Sequence, residues 1–365
     1  MRFTHISGKR RIFAELRRAG RISRAELARA CTLTRPAVSV IVDELIASGL
    51  VREVGPGHST GGKPPIMLDF VPSARCAIGI NLGGDGRIEG VVCDLACEVL
   101  YSESIAYEND FENILQVTEK VIRTLRAKVA PEHLAGVGVA VSGIVDRNDA
   151  IMHSTLDIVG KPLAGRLREI AGMPVMLERR PNSAALAEAL FGAGRGARQL
   201  LYLTSGVGVG AGMVIAGEIF RGSHGCAGEV GLLRLPDGRV LEEAARPRTM
   251  LREYAKCTGR KVDFDTFLSR YFAGDECARR LAAANAGYLA YAAQAAANLF
   301  DPDALVLGGD ALEFGDEYFA EFKREFLAGS CAYKLGKEPM VLRSTFGRRG
   351  VAVGGAQIIL DSLIV

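Results

Sequence analysis

The stretch from Ile22 to Leu68 decides how this chain is read: I-S-R-A-E-L-A-R-A at 22–30, T-R-P-A-V-S-V-I-V-D-E-L-I-A-S-G-L-V at 34–51, and G-P-G-H-S-T-G-G-K-P-P at 55–65. Ser23 stands where an N-cap belongs, and Glu26 three residues on completes a capping box for a short helix to Ala30. Cys31-Thr32-Leu33 makes a turn, Thr34 caps a second helix, and Pro36 falls in its first turn, where a missing N–H costs nothing. Val38, Ile41, Val42 and Leu45 recur at helical spacing and face inward, leaving Arg35, Ala37, Ser39 and Val40 nearer the outside. After Gly49 the texture is that of a β-ribbon, with Gly61-Gly62-Lys63-Pro64 at its tip or return. Any small helical bundle can show one of these features. Turn, caps and ribbon together describe a winged helix-turn-helix, whose second helix presents its N-terminal residues to the major groove of DNA.

Charge agrees. Residues 1–70 hold 12 Lys/Arg against 6 Asp/Glu, a net +6, while the rest hold 33 against 36, a net −3. A basic head on a mildly acidic body is the footprint of phosphate contact, and a merely solvated charged face needs no such asymmetry. Thr34, Arg35, Pro36 and Ser39 are the expected groove residues; Arg24, Lys63, Lys9, Arg10 and Arg11 are the expected phosphate contacts.

At 365 residues the chain exceeds one hydrophobic core, and 48% hydrophobic with 24% charged residues excludes disorder. No apolar run approaches the length of a membrane span, and no signal peptide is evident, so a cytoplasmic protein is expected. The apolar end at 358–365 reads as a docking helix. Eight cysteines are scattered with no Cys-x-x-Cys, the pattern of free thiols rather than of a disulfide framework or metal site.

After Pro72 the texture turns strand-rich and Gly-rich, twice. C-A-I-G-I-N-L-G-G-D-G-R-I-E-G-V-V-C-D-L at 76–95 and L-L-Y-L-T-S-G-V-G-V-G-A-G-M-V-I-A-G-E-I at 200–219 each read as strand, glycine turn, strand. An approximate internal duplication follows. Between and after them lie an amphipathic helix from Phe111 to Leu125, a buried strand at 136–141, helices near 264–272, 276–300 and 315–327, and a strand at 304–307. This is an α/β body of two lobes with a cleft between them. Gly83-Gly84, Gly206, Gly208 and Gly308-Gly309 outline a nucleotide cleft if they cradle phosphate, or are simply hairpin turns. The Rossmann fingerprint is excluded, because the glycine run leads into a strand.

The chain resembles the ROK family (repressor, open reading frame, kinase). The resemblance rests on S-R-A-E-L-A at 23–28, the G-G-K-P-P ribbon at 61–65, G-V-A-V-S-G-I-V-D at 138–146, A-L-A-E-A-L-F-G-A-G at 185–194, R-G-S-H-G-C-A-G-E-V-G at 221–231 and D-P-D-A-L-V-L-G-G at 301–309. It implies a head over 1–70 and an actin/hexokinase-like ATPase fold over 74–365. Lobe one would take 74–190 with a returning helix at 348–365, and lobe two 191–345. A homodimer or dimer of dimers responding to a sugar and binding a roughly palindromic operator is implied with it.

The departures from the family's pattern weigh against catalysis. Asn81 and Asp85 flank a first turn that carries Asp and Thr in family kinases, and Val207 replaces a hydroxyl in the second turn. Arg180 stands where those kinases carry the catalytic Asp, and an arginine cannot accept a sugar proton. The family's zinc ligands are also missing: Leu232 replaces a histidine, and 233–242 holds no cysteine. No catalytic residue, cofactor or metal is therefore expected. By resemblance, sugar contacts would come from Ser142, Gly143, Thr155, Asp157, Arg179, Arg180, His224 and Glu229. The adjacent arginines point to an acidic or phosphorylated sugar. The alternatives are a pocket plugged by Arg180 pairing with Glu229, Asp157 or Glu178, a neutral sugar, a surviving sugar kinase, and a dimer that binds no small molecule.

Overall fold

A computed structural model describes residues 7–57, 64–83, 85–146 and 148–364. Lys63 with the ribbon tip, and Gly84, lie outside them. The head comprises α1 (Gly8–Ala19), β1 (Arg21–Ser23), α2 (Arg24–Ala30), α3 (Arg35–Ala47), β2 (Val51–Pro56) and β3 (Ile66–Phe70). Both expected caps form: the Ser23 side chain accepts from Glu26 N–H while Glu26 reaches back to Ser23, and Thr34 accepts from Ala37 N–H. The ribbon pairs antiparallel, with β1 added on its inner edge. Helix α1, absent from the sequence reading, is capped by Ser7 and inserts Ile12, Phe13 and Leu16 beside Leu27, Val38, Val42, Leu45 and Leu68. Each such chain gains about 1.5–3 kcal/mol from burial, and this gain fixes which face of α3 turns inward.

Lobe one carries β4 (Cys76–Leu82), β5 (Arg87–Asp94), β6 (Val99–Ala106), α4 (Phe111–Arg126), β7 (Leu134–Val141), β8 (Ile144–Val145), β9 (Ile151–His153), α5 (Leu163–Ala171), β10 (Val175–Arg179) and α6 (Arg180–Leu190). Its main sheet runs β10-β7-β4-β5-β6, parallel from β10 through β4 and antiparallel beyond. Lobe two carries β11 (Gln199–Ser205), β12 (Val209–Ile215), β13 (Glu218–Ile219), α7 (Leu241–Ala245), α8 (Pro247–Thr258), α9 (Phe264–Phe272), α10 (Glu276–Phe300), β14 (Ala304–Gly309), α11 (Gly315–Gly329), α12 (Cys331–Lys334) and β15 (Met340–Arg343). Its sheet, β13-β12-β11-β14-β15, repeats the same mixture of parallel and antiparallel pairing. The chain then returns to lobe one through α13 (Gly350–Ser362).

The C-terminal helix begins at Gly350, within the returning helix expected over 348–365 and eight residues before the apolar end at 358, and it is buried almost throughout. A Cβ on Gly79 would lie 1.9 Å from the Ala352 carbonyl oxygen, and one on Gly138 1.8 Å from that of Gly355. Helix α13 thus lies backbone against backbone on β4 and β7, which larger side chains would forbid. Across its other face runs α6, whose own Ala184, Ala185 and Ala189 pack on Leu200, Tyr202 and Val214 of lobe two. These two helices connect everything: α6 starts in the cleft, and its C-terminal end meets the head.

That junction is polar at its rim and aromatic at its centre. The Arg17 guanidinium lies 4.5 Å from the ring centroid of Phe13 and 5.5 Å from that of Phe191, just past α6. It pairs with Asp361 of α13 at 2.9 Å. Arg195 donates to the carbonyls of Arg17 and Arg18, and Arg10 pairs with Glu218 of lobe two at 2.8 Å. One hydrophobic cluster runs from the head core through Ala352, Val353, Ala356 and Ile359. The head is seated on the body.

Candidate DNA-reading surface and ligand cleft

Arg35 and Pro36 are exposed in the first turn of α3, Ser39 is half-buried, and Val40 is 60% exposed. The cap at Thr34 sets this turn, so the Arg35 side chain leaves a rigid helix end rather than a loop. Arg21, Arg29 and Arg35 are exposed and form no ion pair among the described residues.

The expected phosphate contacts fare differently. Arg24 bridges Asp43 and Glu53, each at 2.7 Å, and so braces α2 against α3 and the ribbon. Lys9 pairs with Glu44, Arg10 with Glu218, and Arg11 donates to the Cys31 carbonyl. All four have acceptors within the chain: Lys9, Arg10 and Arg11 because α1 lays its basic flank on the rest of the head and on the body, and Arg24 because α2 starts beside α3 and the ribbon. Lys63 lies outside the described residues. Arg21 and Arg29 were missed by the sequence reading; their signal was charge next to a capped helix, without any pattern to say which charges stay unpaired.

The body's cleft, about 240 Å³, opens between the two sheets. Its lobe-one wall holds Asn81, Asp85, Ser142, Gly143, Thr155, Arg179 and Arg180; lobe two adds Gly206, Gly208, Glu229, Glu242, Gly309 and Asp310. Gly143 has φ +132°, and a Cβ there would sit 1.9 Å from the His153 carbonyl oxygen, so the β7 turn and the 153–157 loop can be this close only with glycine. Ser154 ties the loop down by donating to the Ser142 carbonyl at 2.5 Å.

The two arginines divide. Arg179, 2% exposed, ends β10 and points across to lobe two, where it donates to the Gly225 and Ala227 carbonyls and pairs with Glu229. Its Nε finds no partner among the described residues. Arg180 opens α6 and turns the other way, donating from Nε to Asn81 Oδ1 at 2.9 Å. Asn81 in turn donates to Glu89 at 3.1 Å. A Cβ on Gly83 would lie 3.0 Å from the Arg180 guanidinium, so this side chain sits over the first glycine turn. No carboxylate among the described residues forms an ion pair with it. Glu178, which precedes the two arginines, accepts from Arg179 N–H, Asn182 and Arg221.

Carboxylates crowd all three glycine turns. Asp85 follows the first; Glu242 and Asp310 stand beside Gly208 and Gly206 of the second; Asp310 also follows Gly309 of the third. Burial raises the Asp310 carboxyl above its ordinary range despite Arg348 at 3.1 Å, which opposes the shift. Glu242 is paired with Arg246.

Of the expected ligand contacts, Ser142, Gly143, Thr155, Arg179, Arg180 and Glu229 meet in this cleft. Two do not. Asp157 faces away and accepts from Phe111 N–H at the start of α4, because Asn109 pins its loop there. His224 is exposed outside the lining, on the loop carried by Arg179. Among the glycines, Gly206, Gly208 and Gly309 line the cleft; Gly308 is turned onto the buried Tyr202 ring instead, and Gly84 lies outside the described residues. The pairing expected of Arg180 is corrected: Arg179 is the residue that meets Glu229, while Arg180 lines the cleft bonded to Asn81.

The ROK family profile matches residues 77–361, and that of a winged helix-turn-helix DNA-binding domain matches 9–52. The xylose repressor of Caldicellulosiruptor bescii is 30% identical over 336 residues, covering 84% of this chain and 83% of its own. A glucokinase of Halalkalibacterium halodurans is 28% identical over 318 residues, covering 79% of this chain and 96% of its own. A crystal structure of a ROK family transcriptional regulator, a homolog of the E. coli MLC protein, superposes with a TM-score of 0.78 at 20% identity over 98% of each chain. It shares the fold of head and two-lobed body. No helix of the described residues is long and apolar enough to cross a membrane.

Proposed function

The chain belongs to the ROK family, and we propose that it is a DNA-binding repressor whose kinase-like body senses a sugar without phosphorylating it. One observation carries this reading: the residue in place of the catalytic carboxylate is Arg180, hydrogen-bonded to Asn81 over the first glycine turn, in a body packed against a winged helix-turn-helix head. A guanidinium takes no proton from a hydroxyl at neutral pH. Asp85, Glu242 and Asp310 at the glycine turns add repulsion for a polyphosphate. Relatives in this family include both xylose repressors and glucokinases, so inactivity rests on these residues rather than on kinship.

In the head, Arg35 reads base edges, with Val40 placed for an apolar contact such as a thymine methyl. Arg21 and Arg29 supply phosphate contacts alongside the backbone of the capped α3. A homodimer presenting two heads to a roughly palindromic operator suits a module of this size.

The effector is a neutral aldose, with xylose as the first candidate on the strength of the similar repressors. Arg179 is neutralised by Glu229 and holds two carbonyls, leaving it no fork for an anion, and Arg180 lies on Asn81 over the first glycine turn rather than beside Glu229. Glu229 and the Ser142–Gly143 turn then face the sugar hydroxyls. Sugar binding closes the lobes around α6, and the α6 end at Phe191 and Arg195 passes the movement to α1.

The test is fluorescence anisotropy with an operator duplex from the chain's own upstream region, with and without D-xylose, beside calorimetry with xylose and xylonate. Expected are release of DNA by xylose, tighter binding of xylose than of xylonate, and no sugar-dependent ATP turnover. Tighter xylonate binding abolished by Arg180→Ala would restore the anionic effector, and turnover would restore the kinase.

A further inference from the structure

Twenty positions apart in sequence, Cys257 near the end of α8 and Cys277 in the first turn of α10 come together on the surface of lobe two. Arg280 joins them: its Nη2 lies 3.6 Å from Cys257 Sγ and 3.7 Å from Cys277 Sγ. Both sulfurs therefore flank one guanidinium nitrogen on the same patch of surface. Cys257 is exposed and Cys277 half-buried, so reagents approach from the Cys257 side. Tyr254 of α8 donates to Asp275, the N-cap of α10, at 2.9 Å, which holds the helix ends in register.

We propose that Cys257 and Cys277 form a dithiol site that a peroxide closes to an intramolecular disulfide, with Arg280 as the cation that promotes the reaction. The Cys257 sulfur, as thiolate, attacks one peroxide oxygen; the O–O bond breaks and leaves a sulfenic acid and, after protonation, one water. The Cys277 sulfur then attacks the Cys257 sulfur. The S–S bond forms, the S–O bond breaks, and the oxygen departs as a second water with the proton of the Cys277 thiol. Two thiols are oxidised and one peroxide is reduced to two waters. The order follows from the surroundings. Burial first, and then the neighbouring Cys257, push the Cys277 thiol up to about 11, so it keeps its proton, while Cys257 is the sulfur open to the reagent with Arg280 beside it.

The other thiols lack these conditions. Cys31, Cys76, Cys93 and Cys97 are buried, and burial raises Cys93 to about 12 and Cys97 well above its usual range. Cys226 is exposed but interacts with its own loop, through the His224 carbonyl. Cys331 is exposed at the start of α12 with no cation–thiol contact among the described residues.

The experiment uses the full-length, fully reduced protein. It is treated with a few equivalents of hydrogen peroxide, followed by differential alkylation and peptide mass mapping. A parallel titration uses phenylarsine oxide, which binds adjacent dithiols. The expected product is the 257–277 linked peptide, formed before any loss of Cys226 or Cys331, and one equivalent of the arsenical protects both sulfurs. Cys257→Ser removes the link and the arsenical stoichiometry together. Arg280→Gln slows closure several-fold, while Cys226→Ser leaves its rate unchanged. The proposal is overturned if Cys226 or Cys331 oxidises first, or if Cys257→Ser leaves the arsenical stoichiometry intact. An Arg280→Gln rate equal to the parent's would remove the arginine from the site.

Discussion

Replacing Arg179 by methionine separates a structural cation from a ligand-binding one, because the two roles predict opposite signs. The guanidinium is 2% exposed and serves Glu229 and the carbonyls of Gly225 and Ala227. Methionine keeps most of the apolar stem and adapts to irregular space, so a large cavity penalty does not arise. Breaking a fully buried ion pair by removing one partner costs about 3–5 kcal/mol. Glu229 retains 27% side-chain exposure and can recruit water, which brings that cost to about 2 kcal/mol. The two carbonyls together lose about another 1 kcal/mol after partial rehydration. The expected loss is thus about 3 kcal/mol, or a fall in Tm of about 5 °C for a body this large. The double variant Arg179→Met/Glu229→Gln should lose less than the sum of its single variants, by about 1–2 kcal/mol, since neither charge is then stranded. Thermal and urea unfolding of the full chain measure both quantities. A free cleft cation awaiting an anionic ligand would behave otherwise: removing it would relieve a buried charge and leave Tm unchanged or higher. That outcome, or strict additivity in the cycle, would refute the assignment.

Further outcomes follow from other contacts. Arg17→Ala, which removes the pair with Asp361 and the contacts with Phe13 and Phe191, should leave operator affinity nearly intact while weakening its response to xylose; an unchanged response by anisotropy would place the coupling elsewhere. Glu26 is held below its ordinary range by the Ser23 backbone N–H and then its hydroxyl, so its contribution is present above the unfolded value and lost as pH falls through the folded one. Glu26→Ala should therefore cost about 1 kcal/mol near neutral pH and progressively less as the pH falls below the ordinary carboxylate range, as read from unfolding across that range. Asp310 has the opposite sign: its raised carboxyl favours the folded state when protonated, and that advantage disappears as pH rises through the folded value. Asp310→Asn should accordingly raise Tm at neutral pH, with the gain vanishing below about pH 4, and a lowered Tm at neutral pH would show that the Arg348 pair dominates.

The sequence by itself determined what depends on neighbours a few residues apart. Caps at Ser23 and Thr34, the inward face of Val38, Val42 and Leu45, the glycine turns and the amphipathic helix from Phe111 all follow from helical and strand periods, which a single element imposes on its own residues. The presence of an arginine rather than a carboxylate at 180 is equally local, since it needs only the identity of one residue. Tertiary structure alone decided the partners. Charge counting gave Lys9, Arg10, Arg11 and Arg24 to DNA, yet each found an acceptor inside the chain, one of them 208 positions away. Arg179 and Arg180 are adjacent and chemically identical, but one ends a strand and the other starts a helix, so they leave the backbone toward opposite walls of the cleft. The same holds for Asp157, drawn to α4, and for Cys257 and Cys277, joined by the meeting of two helix ends. A residue's type and period are properties of its own segment. Which charge or thiol it meets is a property of how segments pack, and no local pattern encodes that choice.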